Sequence, residues 1–276
     1  MSRILFCPLF AGLLSFAHAG TVVLSSNLDS SIPVQIAPGA AALTGVQGYG
    51  GLGPAGNQFD GQFLRSPTGN VVTISLQNLP AHSTIGIDFL FAAIDSLDGT
   101  GTFPEGDFLR VTLDGAQVFR ESFANADPGQ VQSYVPAPGV LLARRVDLGF
   151  SQGYYYYDSA YNMALEPRFH NLAHTSSTAT ITMEIEGPGI QPLDDESWAM
   201  DNLRIAVDGA SCPGDLNSDG VVDDSDFVIF VASYNILDCT DPTMPVGCPG
   251  DLNADSVVDD SDFVIFVRAY NDLVCP

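Results

Sequence analysis

The chain has 276 residues with 33 acidic and 9 basic side chains, a formal net charge of −24, and no lysine at all. Charge of that sign repels nucleic acid and anionic membrane surfaces and suits solubility and cation binding. Without lysine, Schiff-base chemistry and the lysine-bearing phosphate loop are excluded.

The first residues, MSRILFCPLFAGLLSFAHAG, place Arg3 before an apolar run from Ile4 to Phe16, closed by Ala17-His18-Ala19. That is the pattern of a secretory signal peptide over residues 1–19, too short to span a bilayer. Cleavage near Gly20 takes the charge from −24 to −25, because Arg3 leaves and no acid leaves with it. Nothing apolar and long enough follows to act as an anchor, so a secreted, extracellular protein is expected. Cys7 lies inside the apolar run and leaves with it.

Residues 20–210 read as short β-type runs between Gly, Pro, Asn and Asp. The runs 21–25, 71–76, 84–92, 108–113, 117–123, 178–186 and 198–207 carry β-branched or aromatic residues in partial alternation. Asp114-Gly115 between two of them predicts a type I′ hairpin turn. No stretch here holds a helical period, so the fold class predicted is mainly β, a two-sheet, jelly-roll-like β-sandwich. The segments LQNLPAHSTIGIDFLF, IDSLDG, PEGDFLRVTLDG and DDESWAMDNLRI are similar to a group of secreted bacterial jelly-roll domains without well-defined activity, over roughly residues 59–205. Related sandwiches include carbohydrate-binding modules and adhesive ectodomains, so the resemblance implies a fold more than a function.

Three features of this region bear on chemistry. Asp95, Asp98, Glu105 and Asp107 gather on one loop, and Asp194, Asp195, Glu196 and Asp201 near the last strand. Brought together by sandwich loops they are candidates for a third, structural calcium site. A glycosidase would need a carboxylate pair from the same set, and the plainest alternative is turn and surface acids. Tyr154 to Tyr157, with Tyr161 after them, either stack on sugar rings or pack alternately inward along a strand. His170 and His174 are four apart but lack the glutamate of H-E-x-x-H, which argues against zinc there.

From residue 211 the chain changes character and repeats itself. CPGDLNSDGVVDDSDFVIFVASYN at Cys212 returns as CPGDLNADSVVDDSDFVIFVRAYN at Cys248, differing only at Ser218/Ala254, Gly220/Ser256, Ala232/Arg268 and Ser233/Ala269. In the first copy Asp215, Asn217, Asp219, the carbonyl of Val221, Asp223 and Asp226 occupy positions 1, 3, 5, 7, 9 and 12 of a calcium loop. In the second they are Asp251, Asn253, Asp255, the carbonyl of Val257, Asp259 and Asp262. Calcium needs several oxygens converging from one tight loop, and an N-cap needs one acid rather than several at alternating positions. The closing ligand is Asp where the EF-hand template has Glu. Position six is Gly220 in loop one but Ser256 in loop two, where the turn calls for positive φ, so the second loop is expected to bind more weakly. Two Ca2+ sites are expected in this module, and its 13 Asp against the single Arg268 make cations the natural neutralising partner.

Paired loops of this form, each followed by one helix, resemble the duplicated segment of a type I dockerin, a calcium-dependent module that plugs into cohesin domains. The resemblance covers residues 212–276. At loop positions ten and eleven, where dockerins select partners, this chain has Asp224-Ser225 and Asp260-Ser261, and its four cysteines depart from the family. The cysteines Cys212, Cys239, Cys248 and Cys275 suggest two disulfides. Equal spacing suggests 212–239 with 248–275. A two-fold pair of loop–helix units with antiparallel helices suggests 212–275 with 239–248, which we favour.

On the helices, Phe227, Phe230, Val231 and Tyr234, with Phe263, Phe266, Val267 and Tyr270, form apolar stripes expected to face each other. Val228, Ile229, Val264 and Ile265 point elsewhere and are expected either to dock on the sandwich or to remain as a partner surface. The reading is a secreted, non-enzymatic, calcium-binding protein with a dockerin-like module at residues 211–276 that attaches to a cohesin-like or other extracellular protein. The alternative is a carbohydrate-binding or polysaccharide-hydrolysing protein with the dockerin as its assembly tag.

Overall fold

The computed structural model describes residues 20–100, 106–127, 129–150, 157–208, 214–217, 221–253 and 255–272. The signal-peptide segment 1–19, Glu105, Tyr154 to Tyr156, Cys212, Asp219, Gly220 and Cys275 lie outside them.

The strands in chain order are β1 (Thr21–Ser26), β2 (Ile36–Ala37), β3 (Ala42–Gly45), β4 (Gln62–Pro67), β5 (Val72–Gln77), β6 (Thr84–Asp95), β7 (Phe108–Leu113), β8 (Ala116–Ser122), β9 (Leu141–Val146), β10 (Asp158–Asn162), β11 (Leu172–Ala173), β12 (Thr178–Glu186) and β13 (Glu196–Asp208). Two helices follow, α1 (Asp224–Tyr234) and α2 (Asp260–Asp272). One sheet runs β3-β4-β13-β6-β10-β9, with β1 also on β13 and β11 also on β6, and the other runs β2-β5-β12-β7-β8. The pairings between named strands are antiparallel.

All seven β runs expected from the sequence are strands, within a few residues at their ends. At the β7–β8 turn Asp114 and Gly115 take φ of 49° and 79°, the two positive values that a type I′ turn requires. The strands that patterning missed are short or polar. In β10, DSAYN, all five residues are buried.

That burial has a structural cause. Between the sheets lies the main core, with Trp198, Phe89, Phe91, Phe123 and Tyr161 among its members. A second apolar layer of Tyr49, Phe59, Phe63 and Phe150 covers the outer face of the larger sheet over Ala92, Ala160 and Ala199. Those three alanines lie abreast, Ala199 opposite Ala92 and Ala92 opposite Ala160, and leave room for the aromatic rings above them. The half of β6 under this layer is buried on both faces, which erases the alternation that marks its first half. The hydroxyl of Tyr49 donates to the carbonyl of Ala93 at 3.0 Å, so the buried phenol has a partner.

The tail has its own small core of Val222, Phe230, Val258 and Phe266. Phe230 stacks on Phe266 at 5.0 Å between ring centroids, and Phe227 and Phe263 lie 5.9 Å from the opposite helix's Phe266 and Phe230. The stripes do meet, but less of each is buried than the spacing suggests: Phe227 and Phe263 stay 41% and 40% exposed. Two short helices have too little surface to enclose four aromatic side chains from all sides. The halves interlock through glycine. A Cβ on Gly214 would meet the Ala269 side chain of α2 at 2.8 Å, and one on Gly250 would meet Ser233 of α1 at 2.7 Å. Each loop thus starts against the far part of the other copy's helix, the antiparallel arrangement that brings Cys239 to Cys248 in a disulfide. No helix among the described residues is long and apolar enough to cross a membrane.

Candidate metal centres

In the tail, the last acid of each loop is fully buried and ties the loop to its helix. Asp226 Oδ1 accepts from Leu216 N at 2.7 Å and Asn217 N at 3.0 Å, and its Oδ2 accepts from Asp223 N at 3.0 Å. Asp262 repeats the set with Leu252 N at 2.7 Å, Asn253 N at 3.0 Å and Asp259 N at 2.9 Å. Asp223 and Asp259 cap the helices in turn, accepting from Ser225 N and Ser261 N. The acids at positions nine and twelve therefore serve as caps as well as candidate ligands.

The second loop is described almost throughout. Asp251 accepts from Asp255 N and Ser256 N, Asn253 Oδ1 accepts from Asp255 N, and Asp255 Oδ1 accepts from Val257 N. The side-chain oxygens of positions one, three and five turn into the loop, and a hard cation is matched by a donor set of oxygens alone. Ser256 takes φ of 73°, the left-handed conformation expected at position six. Val257 forms an antiparallel bridge with Asp238 beside the Cys239–Cys248 disulfide. In the first loop, Asp219 and Gly220 lie outside the described residues, and Asp215, Asn217 and Val221 fall within them.

In the sandwich, the eight acids separate. Asp98, Asp107 and Glu196 come together, 7%, 1% and 0% exposed, with one carboxylate oxygen from each within 4.8 Å of the other two. Asp107 N donates to Asp98 O at 2.8 Å while Asp98 N donates to Asp107 Oδ2, so the connection between β6 and β7 closes on itself. Glu196 opens β13 opposite Asp95 and accepts from the backbone and side-chain amides of Gln191. Asp98 Oδ1 accepts from Gln130 Nε2. Burial raises the pKa of all three; the charge of Asp107 raises Glu196 further, and that of Asp98 raises Asp107, whose hydrogen bond with Glu196 opposes the rise.

Asp201 stands apart, accepting from Asn202 N and Asp60 N where a register shift interrupts the pairing of β13 with β6. Asp194 is exposed, and the Asp195 side chain accepts from Ser96.

His170 and His174 do not share a site. His174 stacks on His82, ring nitrogens 2.6 Å apart, and reaches Asp114 at 3.0 Å, whereas His170 contacts Ala164 O. His82 carried no signal because its partner is 92 residues away. Of the tyrosine run, Tyr157 is 39% exposed, and Tyr161 is fully buried in the core.

No protein-family model matches the chain, and no curated protein matches it. Among solved structures, the CBM22-1 xylan-binding domain from Paenibacillus barcinonensis Xyn10C is 13% identical with a TM-score of 0.32, over 71% of this chain and 99% of that one. BtGH115A, a family GH115 4-O-methyl-α-glucuronidase with specificity for decorated arabinogalactans, is 14% identical with a TM-score of 0.29, over 68% and 18%. The Agl-KA catalytic domain is 15% identical with a TM-score of 0.31, over 82% and 36%. This chain thus spans under half the length of the latter two, and likeness this remote assigns it neither ligand nor activity.

Proposed function

We propose that residues 211–276 form a calcium-dependent attachment module of dockerin type, carried by a non-enzymatic β-sandwich in a secreted protein. The observation that supports it is the duplicated closure of the loops: in both copies a buried position-twelve Asp holds the second, third and ninth backbone N–H groups. Asp215, Asn217, Asp219, Asp223 and Asp226 would hold one Ca2+ with the Val221 carbonyl, and Asp251, Asn253, Asp255, Asp259 and Asp262 a second with that of Val257. The cation would supply no chemistry beyond neutralising the acids and ordering the loops.

Attachment is supported by apolar surface repeated about the same two-fold, with Val228 and Val264 exposed at 68% and 67%. A cohesin-type domain is the partner class that the resemblance of the paired loops implies. A non-enzymatic sandwich is supported by the burial of Asp98, Asp107 and Glu196, which cannot touch a substrate from inside the fold. The test is capture of the full chain on a panel of cohesin domains with calcium and with chelator. Calcium-dependent capture, weakened by Val228→Asp/Val264→Asp while calcium binding persists, supports the reading, and capture indifferent to calcium refutes it.

A second reading, in which the sandwich itself binds a polysaccharide, rests on the exposed ring of Tyr157 at the mouth of β10. Affinity electrophoresis through soluble polysaccharides, with Tyr157→Ala as control, tests it: retardation lost in the variant supports the reading, and unretarded wild-type protein removes it.

A further inference from the structure

We propose that Asp98, Asp107 and Glu196 form a divalent-cation site of calcium type inside the sandwich, separate from the tail loops. Burying one carboxylate without a compensating charge is costly, and here three are buried together. No arginine or histidine among the described residues pairs with any of them. The observation that points to an ion is Asp107 Oδ1, which is buried, belongs to a residue 1% exposed, and has no N–H or hydroxyl donor among the described residues. A solvent-excluded acceptor left bare loses the full worth of its hydration.

The spacing suits the ion. Two oxygens each about 2.3–2.6 Å from one calcium can be at most about 5 Å apart. One carboxylate oxygen from each of the three residues falls inside that span, the three lying within 4.8 Å of one another. The surrounding donors orient them: Gln130 holds Asp98 and is itself fixed by Gly99 N, Gln191 holds Glu196, and Asp98 N holds Asp107. The three residues also join different parts of the fold. Asp107 leads into β7 of the smaller sheet and Glu196 opens β13 of the larger, so a bound ion ties the two sheets at one end. The competing occupant is a proton shared between Asp107 and Glu196, which lie close enough to hydrogen-bond when one is protonated.

The chain's single tryptophan separates the two. Trp198 lies on β13 two residues beyond Glu196, about 7 Å along the strand, and the tail has none. Terbium(III), which takes calcium's oxygen ligands, emits under tryptophan excitation only when bound near that ring. Full-length protein with Tb3+, excited at the tryptophan band, is expected to emit, to lose the emission to excess Ca2+, and to keep it when both tail loops are disabled by Asp215→Ala/Asp251→Ala. Asp107→Asn and, independently, Glu196→Gln should lower the tryptophan-sensitised signal at least tenfold. As a second readout, calcium at a hundred times its dissociation constant should shift the unfolding equilibrium reported by Trp198 about a hundred-fold. Absence of sensitised emission from wild-type protein, or emission that survives Asp107→Asn and Glu196→Gln, overturns the proposal whatever the tail loops bind.

Discussion

The phenol of Tyr234, at the end of α1, donates a hydrogen bond to Asp260 at the start of α2. Tyr270 on α2 returns the same contact to Asp224 on α1. The two bonds are one contact seen twice, related by the two-fold that duplication built into the tail. Both acceptors stand at loop position ten and in the first turn of their helices, where a negative charge meets the positive end of the helix dipole.

Breaking both bonds should loosen the module without emptying the sandwich. The Tyr234→Phe/Tyr270→Phe variant is expected to melt at a lower temperature in its helical circular-dichroism signal. The transition reported by Trp198 fluorescence should stay where it was. A common shift of both would mean that tail and sandwich unfold as one unit.

The second tail loop is strained at Ser256, whose φ of 73° costs a side-chain-bearing residue on the order of 1 kcal/mol and glycine almost nothing. The bond from Ser256 N to Asp251 Oδ2 survives the change to glycine. Ser256→Gly should therefore tighten the weaker site by about fivefold. Calorimetric titration reads this directly, and two equal affinities indifferent to the substitution would count against the loop assignment.

Stability should also carry a pH signature from Asp201. Burial lifts its pKa to about 7, with the charges of Asp29 and Asp60 adding to the rise and the N–H groups of Asn202 and Asp60 opposing it. The folded state then holds a proton that the unfolded state, near about 4, has lost, so stability falls as pH rises from about 4 to about 7 and levels off above. Asp201→Asn removes this slope. The wild-type advantage over the variant, from urea unfolding followed by Trp198, should shrink by on the order of 2 kcal/mol between pH 4.5 and 8. A constant difference across that range would show that Asp201 is not held protonated.

The contrast between sandwich and tail shows what a sequence exposes. The tail announced itself because a duplicated pattern repeats local chemistry, and even the positive φ at Ser256 could be anticipated from its place in the loop. The long strands β6, β12 and β13 were legible from their composition. Strand β10 was not among the runs expected, because polar Asp158 and Asn162 end it, and Asp158 is buried only by accepting from Asp95 N and Leu148 N inside the fold. The acid cluster was half legible. Its members were among the eight acids flagged on two loops, but choosing Asp98, Asp107 and Glu196 required the strand register that brings residues 98 and 196 together, and spacing along the chain carries no such information. The pairing of His82 with His174 was hidden for the same reason.

The central claim is that the duplicated tail loops hold calcium, and titration calorimetry of the full-length protein against Ca2+ tests it most directly, beside the Asp215→Ala/Asp251→Ala variant. The account predicts two tail sites of unequal affinity, the weaker assigned to the loop containing Ser256, with both heats absent from the variant. Chelator should also reduce the helical signal of the wild type. Identical titrations of the two proteins, with a helical signal unchanged by chelator, would contradict it.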